Sequence, residues 1–193
     1  QRVAADLDDS LGRMRVDTID LYWLHRDDPR VPVGEIIDML MAEVNRGRIR
    51  TYGGSNWTAA RLAAANAYAS AHGLQPLVAS QPCWNLGVRG PMGGDMHWFN
   101  DEDTCSHKES QLPVLPYSPT AQGFFATNGQ RGEAYHNPAS LERLARVQSL
   151  AHDLGATPNQ IALAWLRHQP FPVVPILGTA DLEHLHDGEE TQT

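Results

Sequence analysis

The segment "DTIDLYWLHRDDP", residues 17–29, runs apolar through Ile19, Leu21, Trp23 and Leu24 and then changes abruptly to His25, Arg26, Asp27 and Asp28. The near-continuous apolar run, rich in β-branched and aromatic residues, reads as a strand covered on both faces, and Pro29 ends its capacity to donate to a ladder. Ligands in α/β folds gather at the carboxyl ends of strands, so His25 is a candidate for chemistry. Four further strand ends carry polar groups: "GGSNW" (53–57), "SQPCWN" (80–85), "YSP" (117–119) and "LGT" (177–179). Asn, Gln and Ser supply the paired donors and acceptors that suit a carboxamide. An aromatic ring supplies a stacking face, and a Gly-Thr pair opening a helix offers backbone N–H groups to a phosphate. Each residue also has a plainer reading taken alone: His25 as a salt-bridged surface residue, Ser55-Asn56 as a cap and turn, Gln81 as a sheet cap, Tyr117 as core.

The elements that must position these residues alternate. Val3, Leu7, Leu11 and Met14 recur at helical spacing, a strand follows over 18–24, and a helix over 33–45 is stopped by Gly47. A strand over 49–53 precedes an alanine-rich helix capped by Thr58 and closed by Gly73, and "PLVASQ" reads as a third strand. Residues 87–110 begin as a loop around Gly90, Pro91, Gly93 and Gly94, then fit either a polar helix or an excursion over 96–108. "LPVLPYSP" reads as a fourth strand, 120–138 as a long loop, 141–154 as a helix, and Thr157-Pro158 as the start of another. "FPVVPIL" is the fifth strand, and a short last helix from Asp181 leads into a solvated, disordered "DGEETQT" tail. Five strands alternating with helices indicate parallel βα units in a single domain over 1–193, short of the ~250 residues typical of a closed eight-stranded barrel.

Composition narrows the function classes. A net charge of −8 with no basic stripe argues against nucleic acid, and no apolar run approaches the roughly 18 residues of a membrane span. The start "QRVAADLDDS" has no signal-peptide pattern, which points to the cytoplasm. Cys83 and Cys105 form no disulfide framework, and with His97 and His107 they match no usual zinc spacing.

Five stretches, "VDTIDLYWLHRDDP", "GRIRTYGGSNW", "LVASQPCWNL", "LPVLPYSPTAQGFF" and "TPNQIALAWLRHQP...VVPILGT", resemble the successive motifs of the aldo-keto reductase superfamily, in order and over nearly the whole chain. The resemblance implies a (β/α)8 TIM-type barrel, here about its last five β/α units, and NADP(H)-dependent reduction of aldehydes or ketones without metal or flavin. It implies that His25 orients or polarises the substrate carbonyl. It gives Ser55, Asn56 and Gln81 the nicotinamide carboxamide and Tyr117 the stacking face. Ser118, Pro119 and Thr120 would follow the pyrophosphate, and Gly178, Thr179 and His184 the adenosine phosphate. Gly188 stands in place of a frequent asparagine on the adenine side.

The family's first three strands carry its catalytic aspartate, its proton-donating tyrosine and the lysine beside it, and these 193 residues contain no match to that region. The tyrosines present fall elsewhere: Tyr22 and Tyr52 in strands, Tyr68 in a helix, Tyr117 in the stacking motif, and Tyr135 in the long loop. Two readings of the lone chain follow. One is an oxidoreductase whose acid lies outside it; the other is a catalytically inactive nucleotide-binding or interaction module, with self-association through exposed sheet edges.

Overall fold

The computed structural model describes residues 2–90, 93 and 96–189; Pro91, Gly94 and the end of the polar tail lie outside the described residues. The chain divides into two compact units, Gln1–Ser80 and Gln81–Thr193, with an α/β element order.

In the first unit, α1 (Arg2–Met14), β1 (Ile19–Leu24), α2 (Val33–Asn45), β2 (Ile49–Ser55) and α3 (Ala59–Ala71) follow the expected order. β1 and β2 pair in parallel with Ile19 opposite Ile49 and Leu24 opposite Gly54, so the two strands end side by side. Helix α2 buries Ile36, Ile37 and Leu40 on one stripe, and α3 answers with the small residues Ala59, Ala65 and Ala69 around Leu62. Glu43 is buried on that stripe as well, its carboxylate accepting from Arg46 (2.9 Å) and Arg48 (2.6 Å). Thr58 caps α3 by accepting from the Arg61 N–H at 3.3 Å. One expectation fails in detail: β1 is half-buried along most of its length, with Asp20 exposed. β1 stands at the edge of the order β1-β2-β3, where β3 is only Ser80–Gln81.

In the second unit the undecided stretch after 96 becomes α4 (Asp101–Ser110), opened by a reciprocal capping box between Asn100 and Asp103. Helices α5 (Pro138–Leu154) and α6 (Pro158–Arg167) begin on proline behind the caps Asn137 and Thr157, and α7 (Leu182–Glu189) closes the described chain. Asp187 and Gly188, expected in a disordered tail, belong to α7.

The fourth and fifth strands do not form as ladders. Their segments meet at an isolated parallel bridge, Val114 with Val173, flanked by Val114 N–H to Pro172 C=O (2.9 Å), Val174 N–H to Val114 C=O (2.9 Å) and Ile176 N–H to Pro116 C=O (3.0 Å). Pro113, Pro116, Pro172 and Pro175 remove four donors from these segments, so the chains lie together without a regular ladder. Two clusters hold the unit: Phe124, Phe125, Tyr135, Leu144 and Val147 in one, and Trp84, Phe99, Val114, Leu166 and Phe171 in the other.

Candidate active site

In the first unit the parallel register brings His25, one residue beyond β1, beside Ser55 and Asn56 at the end of β2. The Asn56 side-chain NH2 donates to the His25 carbonyl at 3.2 Å and to Ser55 Oγ at 3.1 Å. Asn56 sits at φ 60°, in the left-handed region that asparagine tolerates better than most residues. Ser55 and Asn56 are buried while the His25 side chain is exposed, so an anchored pair presents a histidine outward. The two glycines before them serve the same end. A Cβ on Gly53 would stand 2.4 Å from the Trp23 ring and one on Gly54 3.0 Å from Trp57, so both indoles lie directly on the β2 backbone.

Sequence reasoning missed the residue that fixes the loop beyond His25. Arg61, on α3, donates through Nε to both carboxylate oxygens of Asp27 (3.1 and 2.9 Å) and through Nη2 to the carbonyls of Asp28 (3.1 Å) and Val31 (2.5 Å). Its guanidinium also stands 5.5 Å from the centroid of the Trp57 ring. No local pattern announces this role, because the partners are some thirty positions away on another element.

In the second unit, Gln81 is half-buried at the end of β3, and Tyr117 follows by a parallel bridge to Cys83, its N–H donating to Pro82 C=O at 3.0 Å. Ser118 takes φ 54° and its carbonyl accepts from the Asn85 NH2 at 2.9 Å. The same NH2 donates to Tyr135 Oη at 2.9 Å, and Asn85 Oδ1 accepts from Gly87 N–H at 2.9 Å. Asn85 is therefore the buried tie between the end of β3, the 117–120 turn and the long loop, a role the sequence alone did not assign.

Thr120, Gly178, Thr179 and His184 line one cavity of about 390 Å³. Arg131 and Asp187 line it too, and neither was anticipated. Thr157 Oγ1 and Asn159 Nδ2 donate to the two oxygens of Asp187, each at 2.7 Å. Asn159 Oδ1 is buried without a partner among the described residues. The start of α7 after the Gly-Thr segment carries its own side-chain bonds. Thr179 Oγ1 accepts from Asp181 N–H (3.0 Å), and Asp181 Oδ1 accepts from Glu183 N–H (2.9 Å), so a carboxylate already caps α7.

The tyrosines differ from a catalytic acid in a physical way. Desolvation pushes Tyr52 and Tyr135 up to about 12, and both side chains are fully buried. Tyr52 donates to the Gln75 carbonyl, and Tyr68 donates to Asp38. Burial, and secondarily the charge of Asp6, raises Tyr22 as well. Among the described residues no three His, Cys, Asp or Glu converge on a metal position. His97 pairs with Asp103 at 2.7 Å, and His107 shares a hydrogen bond with the Leu112 carbonyl at 2.8 Å.

The sequence model of the Aldo/keto reductase family matches residues 1–188. This chain belongs to the aldo/keto reductase family. It is 31% identical over 189 residues to a probable aldo-keto reductase 1 of Glycine max, covering 91% of this chain and 51% of that protein. It also resembles the crystal structure of a thermostable aldo-keto reductase in complex with the inhibitor epalrestat, with a TM-score of 0.75 and 25% identity over 98% of this chain and 60% of that one. The chain thus spans about half the length of the curated relative it matches. In the second unit of this aldo/keto reductase chain a guanidinium, an imidazole, threonine hydroxyls and the Asp187 carboxylate share one cavity. Among the described residues no helix is long and apolar enough to cross a membrane.

Proposed function

We propose that this chain is the cofactor-holding and carbonyl-orienting part of an NADP(H)-dependent oxidoreductase that reduces aldehydes or ketones to alcohols. The observation that carries the reading is the union of His25, Ser55 and Asn56 at two neighbouring parallel strand ends through the Asn56 amide. Bound NADPH would supply the hydride to the carbonyl carbon. Ser55, Asn56 and Gln81 hold the nicotinamide carboxamide, and Tyr117 gives the ring its stacking face. Ser118, Pro119 and Thr120 follow the pyrophosphate, while Gly178, Thr179, His184 and Arg131 receive the adenosine phosphate. His25 hydrogen-bonds the substrate carbonyl and polarises it. These residues belong to one incomplete (β/α)8 barrel domain in a cytoplasmic protein, and the open edge of β1 gives it a route to self-association.

Proton donation is the step these residues supply poorly. General acid catalysis is worth roughly two to four powers of ten when the donor's pKa lies near the working pH. Tyr52 and Tyr135, at about 12 and sealed from solvent, are poorly matched to that task. The same observation favours a second reading, in which the lone chain binds the dinucleotide without turnover.

The test is NADPH binding by fluorescence, with aldehyde-dependent NADPH oxidation measured on the same preparation. Asn56→Ala should weaken binding several-fold, by about 1 kcal/mol for one neutral hydrogen bond. Asn56→Gly accepts the left-handed backbone and should weaken it equally if the amide is the cause. Unchanged affinity in both variants overturns the nicotinamide assignment, and brisk turnover by the chain alone overturns the assignment of its tyrosines.

A further inference from the structure

The segment "HWFNDEDTCSHKE" lies outside the residues assigned above to a dinucleotide, and its first half lines a second cavity of about 400 Å³ contained within the second unit. Trp84, Trp98, Phe99 and Trp165 form its aromatic walls. Trp84 stacks on Phe99 with centroids 4.1 Å apart, meets Trp165 edge-on at 5.3 Å, and is backed by Phe171 at 5.9 Å. Trp84 and Phe99 are core residues, so this wall is held in place before any ligand arrives.

The polar lining is only partly committed. Asn100 Oδ1 accepts from Asp103 N–H in the α4 cap, which leaves its NH2. Gln169 donates through Nε2 to Trp165 C=O at 2.8 Å, which leaves Oε1, and Arg143 spends one N–H on Leu86 C=O at 2.7 Å. The exposed Asp101 carboxylate has no side-chain partner among the described residues. One positive and one negative side chain therefore stand beside two half-used amides and the half-buried indoles of Trp98 and Trp165, while Trp84, buried against Phe99 and Phe171, backs them.

We propose that this cavity binds an uncharged pyranose-sized sugar, as a site separate from the dinucleotide reading. The half-buried indoles of Trp98 and Trp165 suit the C–H face of a pyranose ring, where apolar area is buried without an orphaned hydroxyl. Vicinal hydroxyls, each both donor and acceptor, satisfy the mixed remainder of amide NH2, amide oxygen, guanidinium and carboxylate. A charged ligand gains less here. Asp101 and Arg143 bring one charge of each sign to the lining, so their sum favours neither a cation nor an anion, and Asp101 is already favoured by its place in the first turn of α4.

The test titrates the full chain with the methyl α- and β-pyranosides of glucose, galactose and mannose. Saturation-transfer NMR and tryptophan fluorescence read binding, and NADPH affinity is measured alongside. At least one glycoside should bind saturably. The double variant Asp101→Asn with Gln169→Ala should weaken it roughly tenfold with NADPH affinity and circular dichroism unchanged. Trp165→Leu should remove the stacking contribution, and it checks the site independently of the polar pair. Absence of saturable binding by every glycoside overturns the proposal. So does binding indifferent to both variants, or saturation by phenylalanine or choline in place of the glycosides.

Discussion

The two regions that carry candidate site residues, each taken by itself, are built on opposite principles. Around His25 a continuous parallel pair with every donor in place sets the positions by register, and Arg61 then fastens the following loop to Asp27, Asp28 and Val31. Around Tyr117 the strands are cut by prolines, and Ser118, Ala121, Gln122 and Gly123 all take positive φ within six residues. There the positions come from turn bonds and from the Asn85 amide. The first arrangement yields buried, fixed groups beside one exposed imidazole. The second yields a loop that wraps a cavity, at the cost of left-handed backbone at Ser118, Ala121 and Gln122, residues with a side chain.

The contrast can be broken most forcefully at Arg61. Arg61 and Asp27 form a largely buried pair, with side chains 18% and 12% exposed, so Arg61→Ala strands a carboxylate and frees two loop carbonyls. Urea denaturation should register a loss of about 3 kcal/mol, and a loss no larger than that of a surface salt bridge would remove the fastening role. A smaller effect belongs to the second region. Thr157→Ala deletes the α6 cap and a bond to Asp187 and should cost about 1 kcal/mol, with the mobility of 177–187 read by hydrogen exchange. An unaltered exchange pattern there would separate the cap from the cavity wall.

The smallest effect concerns Asp28, whose carboxyl the Arg30 side-chain hydrogen bond holds down at about 2, against an ordinary value of 3.8. A depressed carboxyl contributes stability that is present above its unfolded pKa and lost as pH falls toward the folded one. Asp28→Asn should therefore lower stability slightly at neutral pH, leave it unchanged below roughly pH 2, and so flatten the acid limb between roughly pH 4 and 2. An acid limb identical to the parent's would show that the Asp28–Arg30 pair is not held in solution.

Much of the first unit was legible because its signals are local. Helix α2 was readable from Ile36, Ile37 and Leu40, α3 from Thr58 and its alanines, and the end of β1 from the switch at His25. The second unit was legible at its caps, Thr157 and the following Pro158, but its strands were overcalled. Apolar runs such as "FPVVPIL" carry the right side chains while their prolines withhold the donors a ladder needs. Tyr135 shows the limit from another side: it stands in a Gly- and Asn-rich loop, yet the fold seals it completely.

By itself the sequence determined the order of elements, the positions of most helix ends, and the polar residues offered at each strand terminus. These depend on periodicity, capping chemistry and abrupt changes of polarity, all of which operate over a few neighbouring positions. Only the tertiary structure decided that Arg61 holds the loop after His25, that Asn85 ties Ser118 to Tyr135, and that Arg131 and Asp187 share a cavity with Thr179. The Arg61–Asp27, Asn85–Ser118, Asn85–Tyr135 and Arg131–Thr179 pairings join residues from about 30 to 50 positions apart. Such pairings are set by which faces the packed elements turn toward one another, and no short-range pattern encodes them.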